Sequence, residues 1–167
     1  MKYRAILLFY VSLMFFVSCV EPDETEEGAD GTRSYYFYED KSLNIVDSED
    51  QYIKWANIKQ GENLVFEYYF TDDDDPLIAD DEYSESIRFE VPGDVTSFSY
   101  SGEDLLDCKI TFTPYCFCFF DDEETAENTG TVSGERISDD RWKITVDVVF
   151  YGFHKRTFTE FFSAKGM

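Results

Sequence analysis

The chain has 167 residues, with 36 Asp and Glu against 14 Lys and Arg, which gives a formal net charge of −22 at pH 7. This length is ordinary for one domain and short for two. Because binding to phosphates needs clusters of Lys and Arg, so acidic a chain is not expected to bind nucleic acid or anionic lipid headgroups. Its charge leaves cations, basic proteins and neutral sugars as classes of partner.

Residues 1–18 have the pattern of a secretory signal peptide. Lys2 and Arg4 precede a thirteen-residue apolar run from Ala5 to Val17. That run is too short to span a bilayer, which takes about 20 residues. A positive start, a short apolar stretch and a small residue before a cleavage site together predict a leader that is removed, with a buried N-terminal helix or strand as the alternative.

The residues Phe16-Val17-Ser18-Cys19 resemble the lipobox of bacterial lipoproteins, with Phe16 where Leu is usual. In that family a peptidase cuts before the Cys, and the thiol receives a diacylglycerol. The resemblance therefore implies that Cys19 carries the lipid and that fatty acyl chains, such as palmitate, hold the protein to a membrane. Two or three chains suffice for stable anchoring, whereas one is marginal. Cleavage would remove two bases and no acid, so the net charge of −22 would become −24.

The segment that follows Cys19 is strongly acidic, with six carboxylates and no base between residues 20 and 31. Such a composition cannot bury enough apolar surface to offset the entropy of ordering it, so residues 19–33 are predicted to be a flexible tether. The segment resembles the acidic export signal of lipoproteins of the Bacteroidota, and a merely solvated spacer is the alternative. The resemblance implies an outer-membrane protein that faces outward. The residues that carry it are Glu21, Asp23, Glu24, Glu26 and Glu27.

Residues 34–167 are predicted to form a single β-rich domain. Hydrophobic residues alternate with polar ones in NLVFEYYFT, SIRFEV and most clearly in RWKITVDVVFY, which is typical of half-buried strands. Weaker strand patterns occur in SYYFYE, VTSFSYS, CKITF, YCFCFF, TVSGERI and RTFTEFFS. The best candidate for a helix is the stretch 48–58, with Ser48 as its N-cap.

Eight or nine short, evenly spaced strands favour an all-β, antiparallel β-sandwich of about eight strands. The alternative is an up-and-down, lipocalin-like barrel. The distinction matters for function, because a barrel can hold a ligand inside whereas a sandwich offers its loops and outer faces.

An acidic stretch after the first clear strand suggests a calcium site. Ca²⁺ takes six to eight oxygen ligands from flexible loops, although the spacing here does not match an EF-hand. A solvated acidic loop is the alternative. The candidate ligands are Asp72, Asp73, Asp74, Asp75, Asp80, Asp81 and Glu82.

With Cys19 lipidated, three cysteines are left, namely Cys108, Cys116 and Cys118. Exported proteins tend to oxidise their thiols, so a disulfide from Cys108 to Cys116 or Cys118 is predicted. Buried free thiols and, less readily, a metal site are the alternatives.

No catalytic motif was found, and His154 is the only histidine. Its place beside Lys155 and Arg156 at an apparent hairpin predicts an exposed loop residue. The chain lacks Gly-x-Ser-x-Gly, phosphate-loop, GxGxxG and His-Glu-x-x-His patterns. The protein is therefore predicted not to be an enzyme.

Aromatic residues are abundant. The chain has 12 Tyr, 17 Phe and 2 Trp, and 26 of these residues lie outside the leader. Packing in the core is one use for them, and an outer strand face that binds sugars or a partner protein is the other. Trp55 and Trp142 are predicted to be core residues. The candidates for an outer face are Tyr35, Tyr36, Tyr38, Tyr69, Tyr100 and Tyr151.

The predicted function is a non-enzymatic, lipid-anchored surface module that binds a protein or a glycan. The alternatives are a carrier of small ligands in a barrel and a carboxylate-dependent glycan hydrolase. No cofactor is predicted beyond the candidate Ca²⁺ site.

Overall fold

The computed structural model describes residues 31–48, 51–73, 83–116 and 127–166. These residues form nine strands and one short 3₁₀ helix, Gly102–Leu106, between β5 and β6, and the predicted all-β class is confirmed. The strands are β1 Gly31–Ser48, β2 Gln51–Gln60, β3 Asn63–Asp72, β4 Ser84–Pro92, β5 Ser97–Ser101, β6 Thr111–Tyr115, β7 Thr129–Ser138, β8 Arg141–Phe150 and β9 His154–Ala164.

All nine strands belong to one sheet, in the order β5-β7-β8-β9-β1-β3-β4-β6, with β2 paired to β1. Every pairing is antiparallel except that of β1 with β9, which is parallel and joins Tyr36 to Ser163 and Phe37 to Ala164. The sheet is open, since β5 and β6 are its end strands. Its two halves, β5-β7-β8-β9 and β1-β3-β4-β6, pack face to face as a sandwich.

Aromatic rings fill the space between the two halves. Phe66 of β3 stacks on Phe89 of β4 with ring centroids 4.9 Å apart, and it meets Trp142 of β8 edge to face at 5.3 Å. Trp142 is fully buried, as predicted. Along β8, buried and solvent-facing residues alternate, because successive side chains in a strand point to opposite faces.

The outer face of the β1-β3-β4-β6 half is covered by a third layer. β1 bends at Asp40, which has a φ of 55°, and the register of its pairing with β3 shifts between Tyr38 and Lys41. Beyond the bend, β1 pairs with β2, and this hairpin packs Leu43 and Ala56 on Val65 of β3. β4 is consequently buried on both faces over most of its length.

Two sequence expectations differ from the fold. The helix predicted over residues 48–58 is wrong, because this stretch ends β1 and forms β2. Alternate residues of β2, Ala56 and Ile58, pack on the sheet below, a period of two that the sequence alone did not reveal. The strand that was expected from Ser34 already begins at Gly31. Within the described residues, no helix is long and apolar enough to cross a membrane.

Candidate functional site

Three aromatic side chains gather on the outer side of the β1-β3-β4-β6 half, and we call them the outer aromatic patch. They are Trp55 of β2, Tyr69 of β3 and Tyr115 of β6. Trp55 is 38% exposed and Tyr69 is 36% exposed, whereas Tyr115 is half-buried. The prediction that Trp55 lies in the core is therefore wrong, because its neighbour Ala56 occupies the buried side of β2 and successive side chains of a strand point to opposite faces.

The strand register brings these residues together. Tyr69 lies opposite Ser86 of β4, and Tyr115 lies opposite Ser84. The hydroxyl of Tyr115 is 3.4 Å from Ser86 Oγ, close enough for a hydrogen bond that holds the ring. β2 is fixed beside β6 because Thr113 Oγ1 donates a hydrogen bond of 2.9 Å to the carbonyl oxygen of Lys54. Trp55 follows directly and is thereby placed next to Tyr115.

The three rings do not form one flat surface. The centroids of Trp55 and Tyr115 are 5.4 Å apart, and their planes meet at 66°. Tyr69 and Tyr115 are 6.3 Å apart at 55°. Tyr115 thus contacts both neighbours, and the rings are steeply inclined where they meet.

Acidic residues lie at the same end of the sheet. Asp72 ends β3 three residues after Tyr69, and Asp73 follows it. The backbone N–H of Asp72 donates to the carbonyl oxygen of Tyr83 at 2.9 Å, so the chain leaves and re-enters the sheet here. Thr71 lies two strands from Tyr115, a separation of about 10 Å at the usual strand spacing.

A separate group of charges lies beside the β1–β2 hairpin, where the carboxylates of Glu67 and Glu90 are buried. Arg88 of β4 donates from Nε to Glu67 Oε1 at 2.8 Å and from Nη1 to the carbonyl oxygen of Ala56 at 2.6 Å. Glu90 accepts a hydrogen bond of 2.5 Å from the backbone N–H of Leu43 and forms a 2.6 Å ion pair with Lys109. These contacts join the hairpin to the sheet. Buried charges need such partners, so the group serves the fold.

A second buried ion pair joins the two halves of the sandwich. Arg156 of β9 donates from Nε to Glu85 Oε1 of β4 at 2.8 Å and from Nη2 to Oε2. Glu85 also accepts from the hydroxyls of Tyr83 at 2.5 Å and Tyr68 at 3.3 Å. Burial by itself would raise the pKa of Glu85, but the hydrogen bonds and charge of Arg156, aided by the two hydroxyls, lower that pKa below its usual value.

The structure brings few of the predicted site residues together. Of the candidate calcium ligands, Asp72 and Asp73 are described, and Asp74, Asp75, Asp80, Asp81 and Glu82 lie outside the described residues. Within those residues, no group of three or more His, Cys, Asp or Glu is placed to hold a metal ion. Cys19 lies outside the described residues as well.

The cysteines differ from the expected bridge. Cys108 is a fully buried free thiol, and its Sγ donates to the carbonyl oxygen of Leu105 at 3.3 Å. A disulfide from Cys108 is therefore not formed, because the thiol faces the core. Cys116 is disulfide-bonded, and Cys118 lies outside the described residues.

His154 is not the exposed loop residue that was predicted. It begins β9, is half-buried, and packs against the rings of Phe112 at 4.8 Å and Phe153 at 4.1 Å. Burial, and then the charge of Arg156, lower the pKa of His154.

Among the tyrosines suggested for an outer face, Tyr69 alone joins the patch. Tyr35 and Tyr100 pack against the core, and Tyr151 is buried with its hydroxyl donating to the carbonyl oxygen of Phe112. Tyr38 donates to Glu67 beneath the hairpin. Sequence reasoning missed Tyr115, and the alternation of YCFCFF with its neighbours gives no sign of which ring faces outward.

The chain matches no protein-family model, no curated protein and no solved structure.

Proposed function

We propose that the protein is a non-enzymatic, lipid-anchored binding module of the bacterial outer membrane and that the outer aromatic patch is its binding surface. The observation that carries this proposal is the exposure of Trp55 and Tyr69 beside Tyr115 while other aromatic rings fill the core. Exposed aromatic rings that are grouped on one surface are typical of binding sites, because they offer a large contact area at a small cost in side-chain entropy.

The packed interior supports a surface site over an internal one. Between the two halves, rings such as Phe66, Phe89 and Trp142 lie in direct contact. The buried carboxylates Glu67, Glu85 and Glu90 each have a cationic partner. Such pairing suits a structural role better than proton transfer, for which one carboxyl group usually has a raised pKa.

The anchor is tested by replacing Cys19 with Ala in the full chain and separating membranes from soluble protein. The proposal predicts that the native chain is found in the outer membrane with acyl mass on its N-terminus and that the Cys19→Ala variant leaves the membrane fraction. A native protein without lipid mass contradicts the proposed anchor.

The patch is tested independently of the anchor. A photoactivatable amino acid is placed at position 55 or at position 161 of the full chain, and intact cells are illuminated. Phe161 is a suitable control, since it is 45% exposed on the outer face of the opposite half of the sandwich. The proposal predicts a covalent adduct from position 55 that position 161 does not give. Equal labelling from both positions argues against the patch.

A further inference from the structure

We propose that the outer aromatic patch binds the cationic side chains, Lys or Arg, of a basic partner protein. This inference rests on the proposed function and names the chemistry that the patch recognises. Two features carry it: the inclination of the rings, which leaves no flat stacking surface, and the negative charge of the chain.

The ring geometry suits a compact cation. A sugar ring stacks on one flat aromatic face. The planes of Trp55 and Tyr115 meet at 66° and those of Tyr69 and Tyr115 at 55°, so a sugar could stack on only one of these rings at a time. A cation is attracted to the face of each ring within about 6 Å of the centroid. Two neighbouring rings that are inclined to each other, unlike coplanar rings, can both contact the same small cation.

The charge around the patch has the required sign. The chain carries a net charge of −22, and Asp73 follows β3 at the end of the sheet where Tyr69 lies. Asp72 does not add to the charge of the patch face, because alternation along β3 places its side chain on the face opposite Tyr69. Lys54 precedes Trp55, but alternation along β2 places their side chains on opposite faces. Arg88, a partly buried base on the outer face of the sheet, is paired with Glu67.

The net charge also favours a basic protein over a zwitterionic lipid as the source of the cation. A field of this sign draws a basic protein toward the domain and accelerates its binding. A zwitterionic lipid such as phosphatidylcholine carries a cationic group too, but it has no net charge and gains nothing from that attraction. We therefore assign the patch to a protein partner.

The test uses the full chain in detergent and a fluorescent peptide of 12 residues in which Lys alternates with Gly or Ser. Binding is followed by fluorescence anisotropy at physiological salt. Trp55→Ala and Phe161→Ala each remove an exposed ring without changing the charge of the protein. A loss confined to Trp55→Ala therefore reports the ring and not the general field.

We expect Trp55→Ala to weaken binding about two- to fivefold, and Trp55→Ala with Tyr69→Ala about tenfold. Phe161→Ala should bind like the native chain, and Trp55→Phe should restore part of the loss. With the lysines acetylated, the difference between native and Trp55→Ala protein should disappear.

Three results overturn the inference: no binding of the lysine peptide by the native chain, equal losses in Trp55→Ala and Phe161→Ala, or a Trp55-dependent uptake of phosphatidylcholine vesicles in place of the peptide. If binding of the acetylated peptide or of a neutral oligosaccharide depends on Trp55, the patch does not recognise a cation, but it is still a binding surface. If Trp55→Ala does not change the binding of any probe, both this inference and the proposed binding function of the patch are wrong.

Discussion

Replacing Arg156 with Ala tests how the two halves of the sandwich are held together. The guanidinium of Arg156 donates two hydrogen bonds to Glu85 and lies 4.9 Å from the ring centroid of Phe112. Without it, the carboxylate of Glu85, which is 3% exposed, keeps only the hydroxyls of Tyr68 and Tyr83. The variant thus has a buried charge without a counter-ion.

Removing one partner of a buried ion pair costs about 3–5 kcal/mol. The two remaining hydroxyls place the expected loss at the lower end, about 3 kcal/mol in the free energy of unfolding. Since urea acts with a slope of about 1–3 kcal/mol per molar, the midpoint of unfolding should fall by roughly 1–3 M. The measurement is urea unfolding at pH 7, followed by circular dichroism.

The pH dependence supplies a sharper test. In the native protein the pKa of Glu85 is lowered, so its contribution is complete above the pKa of the unfolded chain and is lost as the pH falls through the folded pKa. In Arg156→Ala, burial dominates and raises the pKa of Glu85, so protonation relieves the unpaired charge as the pH falls. The difference in stability between native and variant protein should therefore be largest near neutral pH and shrink toward pH 4.

Arg141→Ala is the matched control. It removes the same charge from an exposed position, where Arg141 lies 4.1 Å from the ring centroid of Phe161, and it should cost no more than about 1 kcal/mol. A loss for Arg156→Ala that equals the loss for Arg141→Ala, or that is constant from pH 7 to pH 4, would refute this account of the ion pair.

Three further predictions follow from other parts of the fold. Burial raises the pKa of the Cys108 thiol to about 12, so iodoacetamide should leave it unmodified in native protein and alkylate it in urea, as measured by mass spectrometry. Glu90→Gln should speed amide hydrogen exchange at Leu43 and across the β1–β2 hairpin, because the charged acceptor that holds that N–H is lost; unchanged exchange there would contradict the role of Glu90. Gly130 has a φ of 112°, and a Cβ there would lie 2.1 Å from the carbonyl oxygen of Asp147, so Gly130→Ala should cost about 1–3 kcal/mol in thermal unfolding.

The all-β class could be predicted from the sequence because hydrophobic and polar residues alternate clearly wherever one face of a strand is exposed to solvent. RWKITVDVVFY shows this in β8, where Trp142 and its alternate neighbours are buried. The same rule explains why a helix was wrongly predicted over the stretch 48–58. β2 belongs to a hairpin that covers the sheet, and its pairing with β1 is a long-range property that no local period of Trp55 or Ile58 encodes.

The candidate site was only partly accessible from the sequence. An outer face with Tyr69 was anticipated, since Tyr69 alternates with Phe70 in a clear strand. The partners of Tyr69 were not, because Tyr115 comes from β6 and Trp55 from the hairpin layer, and only the register of four strands brings them together. The disulfide predicted for Cys108 was wrong for the same reason. Whether two cysteines can pair depends on which face of the sheet each thiol occupies, and this follows from the strand register.

The most direct test of the binding surface is the fluorescence of Trp55 itself. The chain has two tryptophans, and Trp142 is fully buried, so a change in emission on adding ligand reports mainly on Trp55. Binding of the lysine peptide should shift or quench the emission of the native chain, and Trp55→Phe should abolish that change. Emission that is unaffected by the peptide, or that changes equally in Trp55→Phe, would contradict the assignment of the outer aromatic patch.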